Sequence, residues 1–170
     1  MTTPNRASPR SGTRARVTLV ITVVLLAAVD LAVKAWAGGA LADGHSMDLG
    51  PIELRLGFNA GMAFSLGDHL PAGVVLATTG LAIGALAVFA WRATRTATRS
   101  TWLALTVIMA GAVANLIDRA SDGVVTDYLH TGWFPTFNLA DVYITGGAIT
   151  LVLVALTSGD RTENPTAAEL

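Results

Sequence analysis

The chain has 170 residues, of which 52% are hydrophobic and only 14% are charged, and its mean hydropathy is +0.56. This apolar share exceeds that of an ordinary soluble domain and predicts an integral membrane protein. The absence of cysteine excludes disulfides, thiolate catalysis and zinc–thiolate sites. The net charge of −1 arises from basic and acidic residues concentrated in different loops, a pattern that reports membrane topology and gives no indication of nucleic-acid binding.

The N-terminal part of the chain is first basic and then strongly apolar. Residues 1–16 hold four arginines among Ser, Thr, Pro and Gly, a composition that predicts a disordered tail. Residues 17–37 form an apolar run of the length that a helix needs to cross the hydrocarbon core. A cleavable signal peptide begins in the same way, but this run is too long and contains Asp30 and Lys34. We therefore predict a first transmembrane helix.

Three further apolar runs of spanning length follow, at about residues 70–91, 101–120 and 139–157. The predicted fold class is therefore an all-α membrane protein, a four-transmembrane-helix bundle that occupies residues 17–157.

The distribution of charge predicts the topology of this bundle. The N-terminal tail and the short loop after the second run hold seven of the eleven basic residues, and the positive-inside rule places both in the cytoplasm. Residues 38–69 and 120–137 then lie outside. Residues 158–170, which contain Pro165 and mixed charges, are predicted to form a second disordered cytoplasmic tail.

The first outer loop, residues 38–69, is too long for a simple connector. Residues 52–56 alternate apolar with polar side chains, which predicts a short strand. Residues 59–64 follow with closely spaced glycines that permit tight turns. The pattern indicates a small β-sheet or hairpin on the membrane surface, which either contributes to a site or only caps the bundle.

Polar residues inside the helices fall on shared faces. Asp30 and Lys34 lie one turn apart, so that they can pair and offset the burial of charge. The third helix carries a polar stripe formed by Gly111, Asn115, Asp118 and Arg119. Asn115 lies four residues after Gly111, and the last two lie three and four residues after Asn115, so that all fall on one face. Both groups lie in the outer half of their helices, which predicts one shared site. The alternative is interhelical hydrogen bonding without chemistry, the more favoured interpretation for Asn115 alone.

Two carboxylates stand at the ends of the polar link between the last two helices. Asp127 and Asp141 both lie where hydrocarbon gives way to water, a position that marks an acid as a functional candidate. Asn138 and Asp141 also match a helix-capping pattern, which explains them without chemistry. Two nearby carboxyls sharing one proton are the arrangement of aspartic proteases. Asp118 competes as a partner, but the adjacent Arg119 favours a standing ion pair or hydrogen bond there.

At these residues the chain resembles signal peptidase II, the lipoprotein signal peptidase, a family of bacterial intramembrane aspartyl endopeptidases. The resemblance covers nearly all of residues 17–157. Two departures from the family pattern are Ala114, where glycine is common, and Thr126, where an aliphatic residue is common. The resemblance rests on four motifs, which are Asp30–Lys34, Asn59–Phe64, Gly111–Arg119 leading to Asp127, and Phe137–Asp141.

The resemblance implies a substrate, a mechanism and a location. The substrate is a prolipoprotein signal peptide, cut before a diacylglyceryl-modified cysteine, and the catalytic pair is Asp127 and Asp141. The resemblance further implies no metal or other cofactor, no nucleic-acid partner, contact with membrane lipid, a monomer, and a site near the outer face of the bacterial cytoplasmic membrane. The residues implied to bind substrate or support the site are Asn59, Gly61, Phe64, Gly111, Asn115, Asp118, Arg119, Asn138, Ala140, Asp30 and Lys34.

Two other classes of function are weighed against proteolysis. A small proton-coupled transporter also uses intramembrane acids and bases, but the sequence shows no internal repeat and its polar groups all lie at one end. A structural membrane bundle predicts that the acids can be replaced with little loss. No zinc, nucleophile-elbow or phosphate-loop motif occurs. The histidines are isolated, which disfavours a metal site; they are His45, His69 and His130.

Overall fold

The computed structural model describes residues 12–60 and 71–159, and within them the chain folds into four long helices and a small antiparallel sheet. All four helices are long and apolar enough to cross a membrane. Their large apolar side chains are widely exposed on the outer surface of the bundle, as expected where lipid replaces water. The predicted fold class is confirmed. The helices are α1 (Gly12–Ala40), α2 (Ala72–Thr96), α3 (Arg99–Asp122) and α4 (Leu139–Gly159).

The helices extend beyond the apolar runs from which they were predicted. Residues 12–16, expected to be disordered, form the first turn of α1, and α2 continues past residue 91 to Thr96. Arginine and alanine are good helix formers, so that a helix continues out of the hydrocarbon until capping residues end it. The remainder of the two predicted tails, residues 1–11 and 160–170, lies outside the described residues.

Helix α3 is the centre of the bundle and packs against the other three helices. Its closest neighbour is α4, because glycines remove side chains at two crossing points. A Cβ on Gly111 would overlap the carbonyl oxygen of Ala140, and a Cβ on Gly147 would meet Ile108 and the carbonyl oxygen of Ala104. Small residues that let helix backbones approach are the usual means of packing helices in membranes.

The sheet has the order β1-β2-β3 and is built from the segments that follow α1 and α3. Its strands are β1 (Ser46–Asp48), β2 (Glu53–Asn59) and β3 (Val125–His130). The prediction of a sheet within the first outer loop was incomplete, because the third strand comes from the segment after α3. A bulge in β2 between Leu54 and Gly57 shifts the register, and Gly57 then pairs with Asp127. The sheet therefore places one of the two candidate carboxylates.

Candidate functional site

Asp127 lies on β3 and is buried, with 4% of its surface exposed. The side-chain amide of Asn138 donates a 2.6 Å hydrogen bond to its Oδ1. Burial raises the pKa of Asp127 to about 6; the hydrogen bond from Asn138 opposes this rise, and the negative charge of Asp141 adds to it. Smaller opposing contributions come from Lys34 and from a hydrogen bond with Asn59. Asp127 is therefore a carboxyl whose proton is retained to an unusually high pH.

Asp141 stands in the first turn of α4 and forms a reciprocal cap with Asn138. The backbone N–H of Asn138 donates to Oδ2 of Asp141 at 3.1 Å, and the backbone N–H of Asp141 donates to Oδ1 of Asn138 at 3.0 Å. The expected cap is thus present. Because the same Asn138 side chain also reaches Asp127, capping and a shared site are compatible, and one residue joins the two carboxylates.

The start of α4 is held by two other elements as well. The backbone N–H of Leu139 donates to the phenolic oxygen of Tyr128 at 3.1 Å, and the N–H of Ala140 donates to Oδ1 of Asp30 at 2.8 Å. Together with the reciprocal cap, these bonds satisfy the free amides that a helix N-terminus presents. Asp141 is consequently fixed relative to both α1 and β3.

Lys34 joins the polar residues of α1 and α3. Its ammonium donates to Oδ1 of Asn115 at 2.6 Å and lies 3.0 Å from Oδ2 of Asp30 and 3.3 Å from Oδ2 of Asp118. One hydrogen bond and two ion pairs thus surround the ammonium group and offset the cost of burying its charge. The amide of Asn115 then donates to Oδ1 of Asp141 at 2.9 Å. The two polar stripes therefore meet, and their contacts lead directly to Asp141.

Asp118 and Arg119 connect α3 to the sheet. Oδ2 of Asp118 accepts a 2.7 Å hydrogen bond from the backbone N–H of Thr126, the residue before Asp127. Its cation is Lys34 and not the neighbouring Arg119, which donates instead to the carbonyl oxygen of Asn59 at 3.4 Å. Asp118 thus holds the strand that carries Asp127.

Not every predicted site residue takes part in this network. Gly111 is a packing residue at the crossing of α3 and α4, where its backbone approaches that of Ala140. Ala140 packs there too, but it also joins the network through its backbone N–H, which donates to Asp30. Gly61 and Phe64 lie outside the described residues. The remaining predicted residues, Asn59, Asn115, Asp118, Arg119, Asn138, Asp30 and Lys34, lie around Asp127 and Asp141.

An open apolar cavity of about 470 Å³ adjoins Asp141, which forms part of its wall. Aromatic rings from the loop before α4 line one side of it; Trp133 and Phe134 make an edge-to-face contact 5.6 Å apart, and Phe137 continues the row. The other side is an exposed face of α4. An apolar segment that occupies this cavity would therefore lie against both the aromatic rings and Asp141.

Sequence reasoning missed Tyr128 and the strand that contains it. Burial raises the pKa of Tyr128 to about 12, so that its phenol stays neutral and orients the start of α4. The β-branched and aromatic residues of Val125–His130 are typical of a strand. The segment is short and its partner β2 is distant in sequence, which hid that signal.

Comparison with known proteins places this architecture in a family. The family model for signal peptidase (SPase) II matches residues 22–157. A lipoprotein signal peptidase of Mycobacterium tuberculosis is 33% identical over 161 residues, which cover 90% of this chain and 76% of that protein. A lipoprotein signal peptidase of Syntrophomonas wolfei is 34% identical over 144 residues, which cover 82% of this chain and 93% of that protein. A lipoprotein signal peptidase of Dehalococcoides mccartyi is 52% identical over a shorter stretch of 71 residues, which cover 39% of this chain and 44% of that protein.

Solved structures give the same result at the level of the fold. A bacterial membrane enzyme determined by the in meso method superimposes with a TM-score of 0.74 at 25% identity, covering 90% of this chain and 94% of that one. A second such structure gives a TM-score of 0.72 at 25% identity, covering 82% and 92%. The four-helix bundle, its three-stranded sheet and the sequence match over residues 22–157 agree: the chain belongs to the signal peptidase II family and is a multi-pass membrane protease.

Proposed function

We propose that this protein removes the signal peptide from lipid-modified prolipoproteins, cutting before the diacylglyceryl-cysteine, and that Asp127 and Asp141 perform the hydrolysis. The observation that carries the proposal is the position of Asn138, whose side chain bonds to Asp127 while its backbone N–H bonds to Asp141. A neutral amide between two carboxyls holds them together without neutralising either one. This arrangement supports an aspartic mechanism, in which the two acids differ in protonation.

The two acids have different environments, and this suggests their roles. Asp127, with its pKa raised to about 6, supplies the protonated acid that donates a hydrogen bond to the scissile carbonyl. Asp141 accepts hydrogen bonds from Asn115 and from the Asn138 backbone, which suits an ionised carboxylate that takes a proton from the attacking water. The water oxygen bonds to the carbonyl carbon and Asp127 transfers its proton to the carbonyl oxygen, giving a tetrahedral intermediate.

Collapse of that intermediate completes the reaction. The carbonyl re-forms and returns its proton to Asp127, the C–N bond breaks, and Asp141 gives the proton it took to the departing amine. The products are the free signal peptide and a mature lipoprotein with an amino-terminal modified cysteine. No acyl-enzyme forms in this scheme, and it uses no metal or other cofactor.

The remaining polar residues act as supports in this proposal. Lys34 balances the charges of Asp30 and Asp118 and orients Asn115 toward Asp141. Arg119 and Asn59 secure the end of β2 beside Asp127. Precise placement of reacting groups by a rigid surround is a major part of what enzymes contribute to rate.

The apolar cavity beside Asp141 is the proposed entry for substrate. A signal peptide is apolar and lies in lipid, whereas its cleavage point needs water. The cavity is lined by apolar residues of α4 and by Asp141, and Trp133, which also lines it, is 84% exposed. Contact with membrane lipid and action as a monomer belong to the same proposal.

The orientation follows from the distribution of charge: both termini in the cytoplasm and the carboxylates near the outer face. Cysteine scanning tests it. A cysteine in place of Gly44, in the turn before β1, is expected to react with an impermeant thiol reagent added outside the cell. A cysteine in place of Thr96, at the end of α2, is expected not to react. The reverse pattern would contradict the orientation.

The assay for the function uses the detergent-purified protein and a prolipoprotein carrying the diacylglyceryl group. We expect a product of higher gel mobility, and none from a matched precursor in which the cysteine that carries the diacylglyceryl group is replaced by serine. A transporter or a structural bundle would leave both precursors intact under every lipid condition, and that result would contradict the proposal.

A further inference from the structure

The end of the bundle away from the acids is strongly basic. Residues 12–60 and 71–159 contain eight Lys and Arg residues, and five of them lie at this end. The same residues include eight Asp and Glu, and none of these lies at this end. Arg16 lies fourteen residues before Asp30 on α1, or about 21 Å along the helix axis. The five residues are Arg14, Arg16, Arg92, Arg95 and Arg99. An anion is therefore the expected ligand of this end.

Arg16 differs from the other arginines of this end because it is half-buried. Its guanidinium carbon lies 4.5 Å from the centre of the Trp91 ring, which ties α1 to α2. Its Nε is buried and has no hydrogen-bond partner within the described parts of the chain. An arginine that only extends into water at a membrane surface would keep its donors solvated. The Arg16 Nε is instead shielded from water and leaves one donor without an acceptor.

A cleft of about 370 Å³ opens beside this guanidinium between α1 and α2. Apart from Thr13 and Arg16, its lining is apolar, and the apolar side chains are about half exposed toward lipid. They are Val17, Val20, Ile21 and Trp91. The cleft thus places a cationic hydrogen-bond donor at one end of a hydrocarbon-lined path that runs toward the middle of the membrane.

We propose that the Arg16–Trp91 cleft binds one anionic glycerophospholipid. The phosphodiester accepts hydrogen bonds from Nε–H and an Nη–H of Arg16, the side-on geometry in which a guanidinium holds phosphate. One acyl chain lies along Val17, Val20 and Ile21. The surrounding arginines favour phosphatidylglycerol or cardiolipin over phosphatidylcholine, whose choline adds a positive charge to an already cationic surface.

The site is separate from the proteolytic network and does not depend on the proposed mechanism. It is carried by the unpartnered Nε of Arg16, the fixed guanidinium plane and the apolar path beneath it. A lipid bound there joins α1 to α2 and neutralises the basic end, so that it is expected to stabilise the folded protein.

Native mass spectrometry of the full chain in neutral detergent, titrated with phosphatidylglycerol or phosphatidylcholine, tests the proposal. We expect one phosphatidylglycerol to be retained about tenfold more tightly than phosphatidylcholine, and Arg16→Gln to remove most of that difference. Arg14→Gln is the matched control, because Arg14 lies two residues away on the same helix and is exposed; it should retain the preference. Trp91→Leu should weaken retention with the arginine still present.

Folding of the variants is checked by melting in lipid-free detergent, where Arg14→Gln should match the wild type and Arg16→Gln should melt cooperatively and only slightly lower, because it loses the contact with Trp91. Equal retention of the two lipids by the wild type, or equal losses in the two arginine variants, would overturn the proposal. The chain's own acids in residues 160–170 are the rival occupant. If phosphatidylglycerol is retained only after Asp160, Glu163 and Glu169 are changed to their amides, the cleft belongs to that segment and the lipid proposal is wrong.

Discussion

Asn138 donates its side-chain amide to Asp127 at 2.6 Å while its backbone N–H bonds to Asp141. A residue that caps a transmembrane helix is therefore also the link between two carboxyls from different secondary structures. The cap fixes Asp141 to the start of α4, and the amide fixes Asp127 to the cap. Asn138 therefore links the two acids directly, beside the bond from the Leu139 N–H to Tyr128 that also joins α4 to β3.

Replacing Asn138 by serine separates these two tasks. Serine can still cap the helix, but it lacks the amide that reaches Asp127. Because that hydrogen bond lowers the pKa of Asp127, its loss should raise the pKa above the wild-type value of about 6. If catalysis needs protonated Asp127, the basic limb of kcat/KM, expected near pH 6 in the wild type, moves to higher pH in the variant.

The matched control is Asn115→Ser, which removes a hydrogen bond to Asp141 and none to Asp127. Its rate should fall without an upward shift of the basic limb. A basic limb that stays in place in Asn138→Ser, or moves to lower pH, would contradict the role given to Asp127.

Lys34 should be a principal determinant of stability. Lys34→Met leaves the buried Asp30 and the partly buried Asp118 without their cation, and removing one partner of a buried ion pair costs about 3–5 kcal/mol. Thermal melting in detergent measures it. Adding Asp30→Asn and Asp118→Asn to Lys34→Met should recover much of the loss; if the triple variant melts no higher than the single one, the ion pairs are not its cause.

Gly111 should tolerate no side chain. A Cβ there would overlap the carbonyl oxygen of Ala140 and approach Ile144, so that Gly111→Ala must push α4 away from α3. We expect a loss of about 1–3 kcal/mol and reduced cleavage, because Asn115 on α3 would no longer reach Asp141. Gly84→Ala is the control, since a Cβ at Gly84 meets nothing within 4 Å and alanine favours helix. Equal losses in the two variants would show a general effect of glycine replacement.

The helices could be predicted because the membrane itself dictates their length and composition. The ends of the helices could not be predicted, because a helix can continue beyond the hydrocarbon core. Helix α1, for example, begins at Gly12 and not at residue 17. The polar stripe of α3 was found because helical periodicity alone places Asn115 and Asp118 together. Strand β3 was missed because its pairing with β2 is a contact between segments distant in sequence.

The residues of the site could be predicted where their residue type is unusual for their position in the sequence. Charged residues within apolar helices, such as Lys34, have few explanations other than a polar network. Tyr128 is an ordinary residue in an outer segment, and only the fold shows that its hydroxyl accepts from the start of α4. The partner of Asp118 was also beyond sequence reasoning, because Lys34 is brought to it by helix packing.

The most direct test of the central claim compares asparagine variants of three acids in the prolipoprotein cleavage assay. Asp127→Asn and Asp141→Asn should each fold, by melting and helix content, and lose at least about 10³-fold in cleavage. Asp118→Asn can still accept from the Thr126 N–H but weakens the pairing with Lys34, and should therefore melt lower while retaining partial activity. A folded, fully active Asp127→Asn protein beside a folded, inactive Asp118→Asn protein would show that Asp118 is the partner of Asp141.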